Sequence, residues 1–132
     1  DAIMAFWGAP VKTADHAEQA ILAGKEMLEG IKEVNRILRE RGFTHEIKIG
    51  IGINTGIVTI GNIGSEQKKN YTVVGDAVNL SSRLESITKE YEAPLLFSEY
   101  TYEKIKSKIN CKRIGNVKVK GREQSVDIYT VE

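Results

Sequence analysis

At 132 residues the chain has the size of one domain and can bury roughly two-thirds of its unfolded surface. Hydrophobic residues make up 41% and charged residues 28%, and a formal net charge of +1 gives no support for nucleic acid as a general partner. No apolar run approaches the roughly 18 residues of a membrane span, and the single Cys111 excludes an intrachain disulfide and a cysteine-rich zinc site.

In chain order, Ile3 to Trp7 reads as a short apolar strand closed by Gly8-Ala9-Pro10. The chain therefore opens, without Met, on what already looks like a strand, the pattern expected of a fragment cut inside a domain. Asp15 and Glu18 are spaced as a helix capping box. Ala17, Ile21, Gly24, Leu28, Ile31 and Leu38 then recur at helical spacing up to a stop at Gly42, predicting a long amphipathic helix. Glu46 to Asn54 alternates strictly, with Ile47, Ile49, Ile51 and Ile53 on one face and Lys48, Gly50, Gly52 and Asn54 on the other. The two glycines open that second face to close approach by a helix or a ligand. Gly50, Gly52 and Gly56 do not make a dinucleotide loop, because the spacing is wrong and a strand runs through them.

Asn54-Thr55-Gly56 reads as a hairpin-type turn into a strand from Ile57 to Ile60, and Gly61 to Asn70 as a polar loop. A short β-branched strand, Tyr71 to Val74, passes through Gly75-Asp76 into a helix whose apolar stripe is Leu80, Leu84, Ile87 and Tyr91. Pro94 to Phe97 is a further strand, Thr101 to Ile109 a short helix, and Arg113 to Val131 a hairpin turning near Gly121-Arg122-Glu123. Strands interleaved with helices and hairpins predict an α+β fold, with helices covering one face of a mainly antiparallel sheet.

Asn79 and Arg83 are the residues of chemical interest. Four apart, they project from one helix face near a helix start, where backbone N–H groups favour anions. Spacing alone leaves two readings open, a phosphate site and a solvated polar pair. Asp76, just before the helix, reads as an N-cap or turn residue rather than a general base. Lys118, Lys120 and Arg122 alternate with Val117, Val119 and Gly121, so a persisting strand would place three cations on one face, as a triphosphate site or as a solvated edge. His16 and His45 have no metal-ligand spacing, and Trp7 reads as packing.

The segment Tyr71 to Glu85 resembles the signature of the class III nucleotidyl cyclases, the adenylyl and guanylyl cyclase catalytic domain. The resemblance continues in Asp1-Ala2-Ile3-Met4-Ala5-Phe6-Trp7-Gly8, in Gly52-Ile53-Asn54-Thr55-Gly56 and in Val119-Lys120-Gly121-Arg122. It implies a truncated class III cyclase fold: a ferredoxin-like, mixed but mainly antiparallel sheet, with residues 1–132 forming one partial catalytic domain that lacks its N-terminal third. It further implies that ATP is cyclised to cyclic AMP and pyrophosphate. Asn79 would orient the ribose and Arg83 would stabilise charge on the α-phosphate. Lys120 would contact the β- and γ-phosphates, and Thr72 would take part in reading the base. Asp1 would be one of two carboxylates holding two Mg²⁺ or Mn²⁺ ions. The family's sites lie between two catalytic domains, so a homodimer with shared active sites is expected, in a cytoplasmic catalytic domain. The fragment alone is expected to be inactive and prone to association. Three alternatives stand beside this reading. One is a noncatalytic regulatory or dimerisation module and another a guanylyl cyclase. The third, a diguanylate cyclase, lacks its Gly-Gly-(Asp/Glu)-Glu-Phe signature here.

Overall fold

A computed structural model describes residues 2–65, 68–119 and 124–132, with backbone alone at positions 63, 65 and 68–72. Its elements in chain order are α1 (His16–Glu40), β1 (Ile51–Ile53), β2 (Thr59–Ser65), β3 (Lys68–Val74), α2 (Asp76–Ser86), β4 (Leu95–Ser98), α3 (Glu99–Ile105), β5 (Cys111–Lys118) and β6 (Ser125–Val131). A four-stranded sheet has the order β1-β4-β6-β5, and β2 and β3 form a separate antiparallel ribbon. Only the β1–β4 pair is parallel, so the sheet is mixed and mainly antiparallel, as the sequence predicts.

Strand β4 organises the interior. All four of its residues are buried, and alternation sends them to two different cores. Leu95 and Phe97 meet Ala17, Ala20 and Ile21 of α1 and Ile105 of α3. Leu96 meets Leu80 and Leu84 of α2 together with Val117, Val126 and Ile128 of the β5–β6 hairpin. Helices α1 and α3 thus lie on one face of the sheet and α2 on the other, so helices cover both faces rather than the single face expected, because the alternating residues of β4 are apolar on both sides. On the α1 side Tyr129 stacks on Tyr102, ring centroids 4.0 Å apart.

The β1 strand is shorter than the alternation from Glu46 to Asn54 suggests. The four-residue β4 offers a ladder only to Ile51, Gly52 and Ile53. Further out, the Asn35 side chain takes the place of a strand edge: its amide donates to the Ile47 carbonyl at 2.9 Å and accepts from the Ile47 N–H at 2.8 Å. Ile3 to Trp7 is likewise not a strand. Among the described residues no strand pairs with it, and Ile3 is 93% exposed.

Residues 54–56 do not turn a hairpin, because β1 pairs in parallel with β4 and the chain leaves the sheet there. The polar stretch read as a loop over 61–70 instead supplies most of the β2–β3 ribbon, in register from Thr59↔Val74 to Ser65↔Lys68. Its ladder is made by backbone groups that any non-proline sequence carries, so side-chain polarity misleads. The strand begins at Thr59 rather than at the fully exposed Ile57.

Helix limits differ in physically simple ways. Asp15 makes no side-chain capping bond, and its carboxylate accepts from the Gln19 amide instead. The stop at Gly42 is as predicted: φ is +87°, and Phe43 N–H reaches back to the Leu38 carbonyl at 2.9 Å. Helix α3 starts at Glu99, two residues early, because the Ser98 hydroxyl caps it by accepting from Thr101 N–H. It ends at Ile105 rather than Ile109.

The glycine face of β1 receives α2. A Cβ on Gly52 would lie 2.3 Å from the Ser81 carbonyl oxygen and 2.4 Å from the Glu85 nitrogen, both backbone atoms. Gly52→Ala is therefore expected to destabilise the fold by about 1–3 kcal/mol. Gly30→Ala, where nothing lies within 4 Å on a helix surface, should be neutral or stabilising by up to about 1 kcal/mol. Urea unfolding of the two variants beside the parent chain checks the contrast.

Across the β5–β6 hairpin, Asp127 accepts from Asn116 at 2.8 Å and from Arg113 at 2.9 Å. These bonds hold its carboxyl below the ordinary carboxylate range. The stability they contribute is present above about pH 4 and is lost as pH falls through the lower folded value. Asp127→Asn should flatten the acid limb of a plot of urea midpoint against pH.

Candidate active site

The approach to the site is a strand, a glycine and a helix. Strand β3 ends at Val74, and Gly75, at φ +148°, takes a conformation that side chains rarely adopt and forms the N-cap of α2. Its carbonyl receives the first helical bonds, from Val78 N–H at 3.1 Å and Asn79 N–H at 3.2 Å. Asp76 is thus not the cap but the first helical residue, where a carboxylate complements the helix dipole.

Three faces of α2 have three tasks. Leu80 and Leu84, continued by Ile87 beyond the helix end, are buried in the sheet core, as the stripe predicts. Ala77 and Ser81 face β1. Ser81 Oγ donates to the Gly52 carbonyl at 2.7 Å, and Asn54 Nδ2 donates to the Ala77 carbonyl at 2.9 Å. Asn79 and Arg83 follow at about 200° from that grip, given 100° per residue, and both are exposed. Among the described residues neither side chain has a hydrogen-bond or ion-pair partner. The structure therefore does bring Asn79 and Arg83 to one open face of α2, but only Asn79 lies near the helix start; Arg83 is in the last turn, away from the N-terminal N–H groups.

Two clefts flank the helix. One of about 290 Å³ is bordered by Asn54, Thr55, Gly56, Asp76, Ala77, Tyr100 and Val119. The other, about 600 Å³, runs between the segment from Met4 to Pro10, the start of α1, residues 52–58, and Val78 and Ser81 of α2. Asn79 and Arg83 border neither and face outward.

The remaining candidates are dispersed or outside the description. The Thr72 backbone pairs with Gly61, four residues before α2 begins, and its side chain is not described. Lys118 is exposed at the end of β5. Asp1, Lys120 and Arg122 lie outside the described residues, as does the turn at 121–123. Val119 packs against the Leu80–Leu84 core and borders the smaller cleft. Among the described residues no three His, Cys, Asp or Glu side chains come together as a metal site. The carboxylate that the resemblance assigns to the cations, Asp1, is outside the residues searched.

Sequence reasoning missed the bonded pair Asn54–Ser98 and, separately, the Ser81 bond to the Gly52 carbonyl. Ser98 Oγ donates to Asn54 Oδ1, and Thr55 shares a 2.8 Å hydroxyl bond with Thr101 of α3. The available signal was Asn54 itself, the one polar uncharged residue ending a face made of glycines.

The family described as "Adenylate and Guanylate cyclase catalytic domain" matches residues 1–132. Adenylate cyclase 1 of Rhizobium meliloti (strain 1021) is 34% identical over 131 residues, covering 99% of this chain and 20% of that protein. The crystal structure of the adenylyl cyclase CyaB from P. aeruginosa superposes with a TM-score of 0.87 at 38% identity, covering 96% of this chain and 64% of that one. The guanylyl cyclase Cya2 superposes at 0.79 with 35% identity, over 95% of this chain and 62% of that one. The chain belongs to the class III adenylate and guanylate cyclase catalytic domain family. It spans about a fifth of the Rhizobium relative and somewhat under two-thirds of these two solved cyclase chains.

Proposed function

We propose that residues 1–132 are the larger part of one adenylyl cyclase catalytic domain that turns ATP into cyclic AMP and pyrophosphate. The observation that carries this reading is the Asn79–Arg83 pair, aligned on the outward face of a helix that β1 grips from behind and without a side-chain partner among the described residues. In the reaction the ribose 3′-hydroxyl gives its proton to water, and its oxygen forms a bond to the α-phosphorus. The bond from that phosphorus to the bridging oxygen of the β-phosphate breaks, and pyrophosphate departs with the electron pair. Asn79 holds the ribose so that the 3′-oxygen is aimed at phosphorus. Arg83 offers a fixed positive charge and several N–H donors to the oxygens on which charge grows.

Thr72, on the strand that leads into α2, contacts the base, and Lys120 holds the terminal phosphates. Two divalent cations, Mg²⁺ or Mn²⁺, belong to this reading, with Asp1 as one ligand, and when bound they supply charge neutralisation at the phosphates. An outward site on the helix, away from both clefts, suits a second copy of the domain that closes over the nucleotide. No helix among the described residues is long and apolar enough to cross a membrane.

ATP rather than GTP is supported by the names of the Rhizobium and P. aeruginosa relatives. The test uses the complete catalytic domain, supplied with ATP or GTP and either metal, with products identified by mass spectrometry. Cyclic AMP is expected. Asn79→Ala and Arg83→Ala should each lower kcat on the order of 100- to 1000-fold while the protein stays folded. Cyclic GMP would overturn the base assignment, and no product from a folded dimer would favour a noncatalytic module.

A further inference from the structure

Helix α2 lies on the backbone of β1 with almost no side chain between them, since Gly50 and Gly52 have none to interpose. A smooth glycine surface brings a helix close but does not stop it sliding or rolling. Two directional bonds do that here. Ser81 Oγ donates to the Gly52 carbonyl, and Asn54 Nδ2 donates to the Ala77 carbonyl. Positions 52 and 54 are about 6.7 Å apart along a strand, and positions 77 and 81 about 6 Å apart along a helix. The spans nearly match, with helix and strand antiparallel, so two bonds fix both the translation and the rotation of α2.

Asn54 also faces a third element. Its Oδ1 accepts from Ser98 Oγ, and that oxygen in turn accepts from Thr101 N–H at the start of α3. The opposite amide orientation would set oxygen against the Ala77 carbonyl and nitrogen against a hydroxyl already held by Thr101, so this network selects one orientation.

We propose that Asn54 is a positioning residue that sets the pose of α2, hence the direction of Asn79 and Arg83, and couples that pose to α3 through Ser98. It does not touch substrate. Its catalytic consequence rests on the adenylyl cyclase reading given above, whereas its mechanical role does not.

Asn54→Asp separates the two arms. The carboxylate keeps an acceptor for Ser98 but removes the donor to Ala77 and places a negative oxygen against that carbonyl. Ser98→Ala removes the α3 arm alone. In the complete catalytic domain, amide hydrogen exchange of each variant is compared at the first turn of α2, the first turn of α3 and strand β6. Steady-state kinetics with ATP are measured per mole of folded enzyme.

Asn54→Asp is expected to speed exchange at Val78 and Asn79 at least about tenfold while β6 is unchanged. Its kcat should fall by 10- to 100-fold, a range expected for a misplaced catalytic group, with KM within about threefold of the parent. Ser98→Ala should loosen the first turn of α3 and affect α2 less. Unchanged exchange at α2 in folded Asn54→Asp would overturn the proposal. So would an unchanged kcat per folded molecule in a domain whose activity needs Arg83. If Arg83→Ala leaves turnover intact, or the parent domain makes no cyclic product, the site reading fails, and the exchange result alone decides whether Asn54 holds α2.

Discussion

The bare backbone of β1 is the constraint on which the rest depends. At Gly50 an added Cβ would come within 2.2 Å of Thr88 Oγ1, and at Gly52 it would meet backbone atoms of Ser81 and Glu85. A helix packed on ordinary side chains stands 8–10 Å from its neighbour and can adjust by side-chain rearrangement. Helix α2 has no such cushion. Its backbone is gripped on one side by β1 and its leucines are buried in the sheet core, so the third face is presented outward at a fixed angle. Asn79 and Arg83 occupy that face. On the opposite side of β1, Ile51 and Ile53 pack with α1, where Gly24 again allows close approach: a Cβ there would meet Leu95 Cδ1 at 2.7 Å. The strand is thus clasped from both sides by helices that use glycine to come near.

What was legible in the sequence followed periodicity. The first half of the α1 stripe (Ala17, Ile21, Gly24), the Leu80–Leu84–Ile87 stripe of α2 and the apolar run of β4 mark surfaces that become buried, whereas Leu28, Ile31 and Leu38 further along α1 stay partly exposed. The glycine alternation from 50 to 52 announced a close approach, although it did not say whether helix or ligand would come. The Asn79–Arg83 face was legible because helical geometry needs no tertiary information. The family motifs then supplied roles that spacing alone left open.

What was not legible depended on partners. The length of β1 is set by β4, more than forty residues away, and by Asn35, whose amide meets Ile47 where a neighbouring strand might have been. The β2–β3 ribbon was legible only at its base, where the strands read at Ile57 to Ile60 and Tyr71 to Val74 overlap it; its outer part is polar, and only backbone complementarity between the two strands reveals it. Asp15 has the right identity for a cap and spends its carboxylate on Gln19 instead. Asn54 escaped notice for the same reason, since all its bonds join residues distant in sequence.

Taken together, the fold makes one face of α2 a rigid platform and leaves it open. In the proposed reading, with a nucleotide held between two copies of the domain, errors in the placement of this face would add to those of the partner side. The most direct test is a crystal structure of the complete catalytic domain with a non-cyclisable ATP analogue. The α-phosphate is expected within hydrogen-bonding distance of the Arg83 guanidinium, the ribose against Asn79, and α2 in its seat on β1. A nucleotide bound in either flanking cleft, with no contact to Asn79 or Arg83, would contradict it.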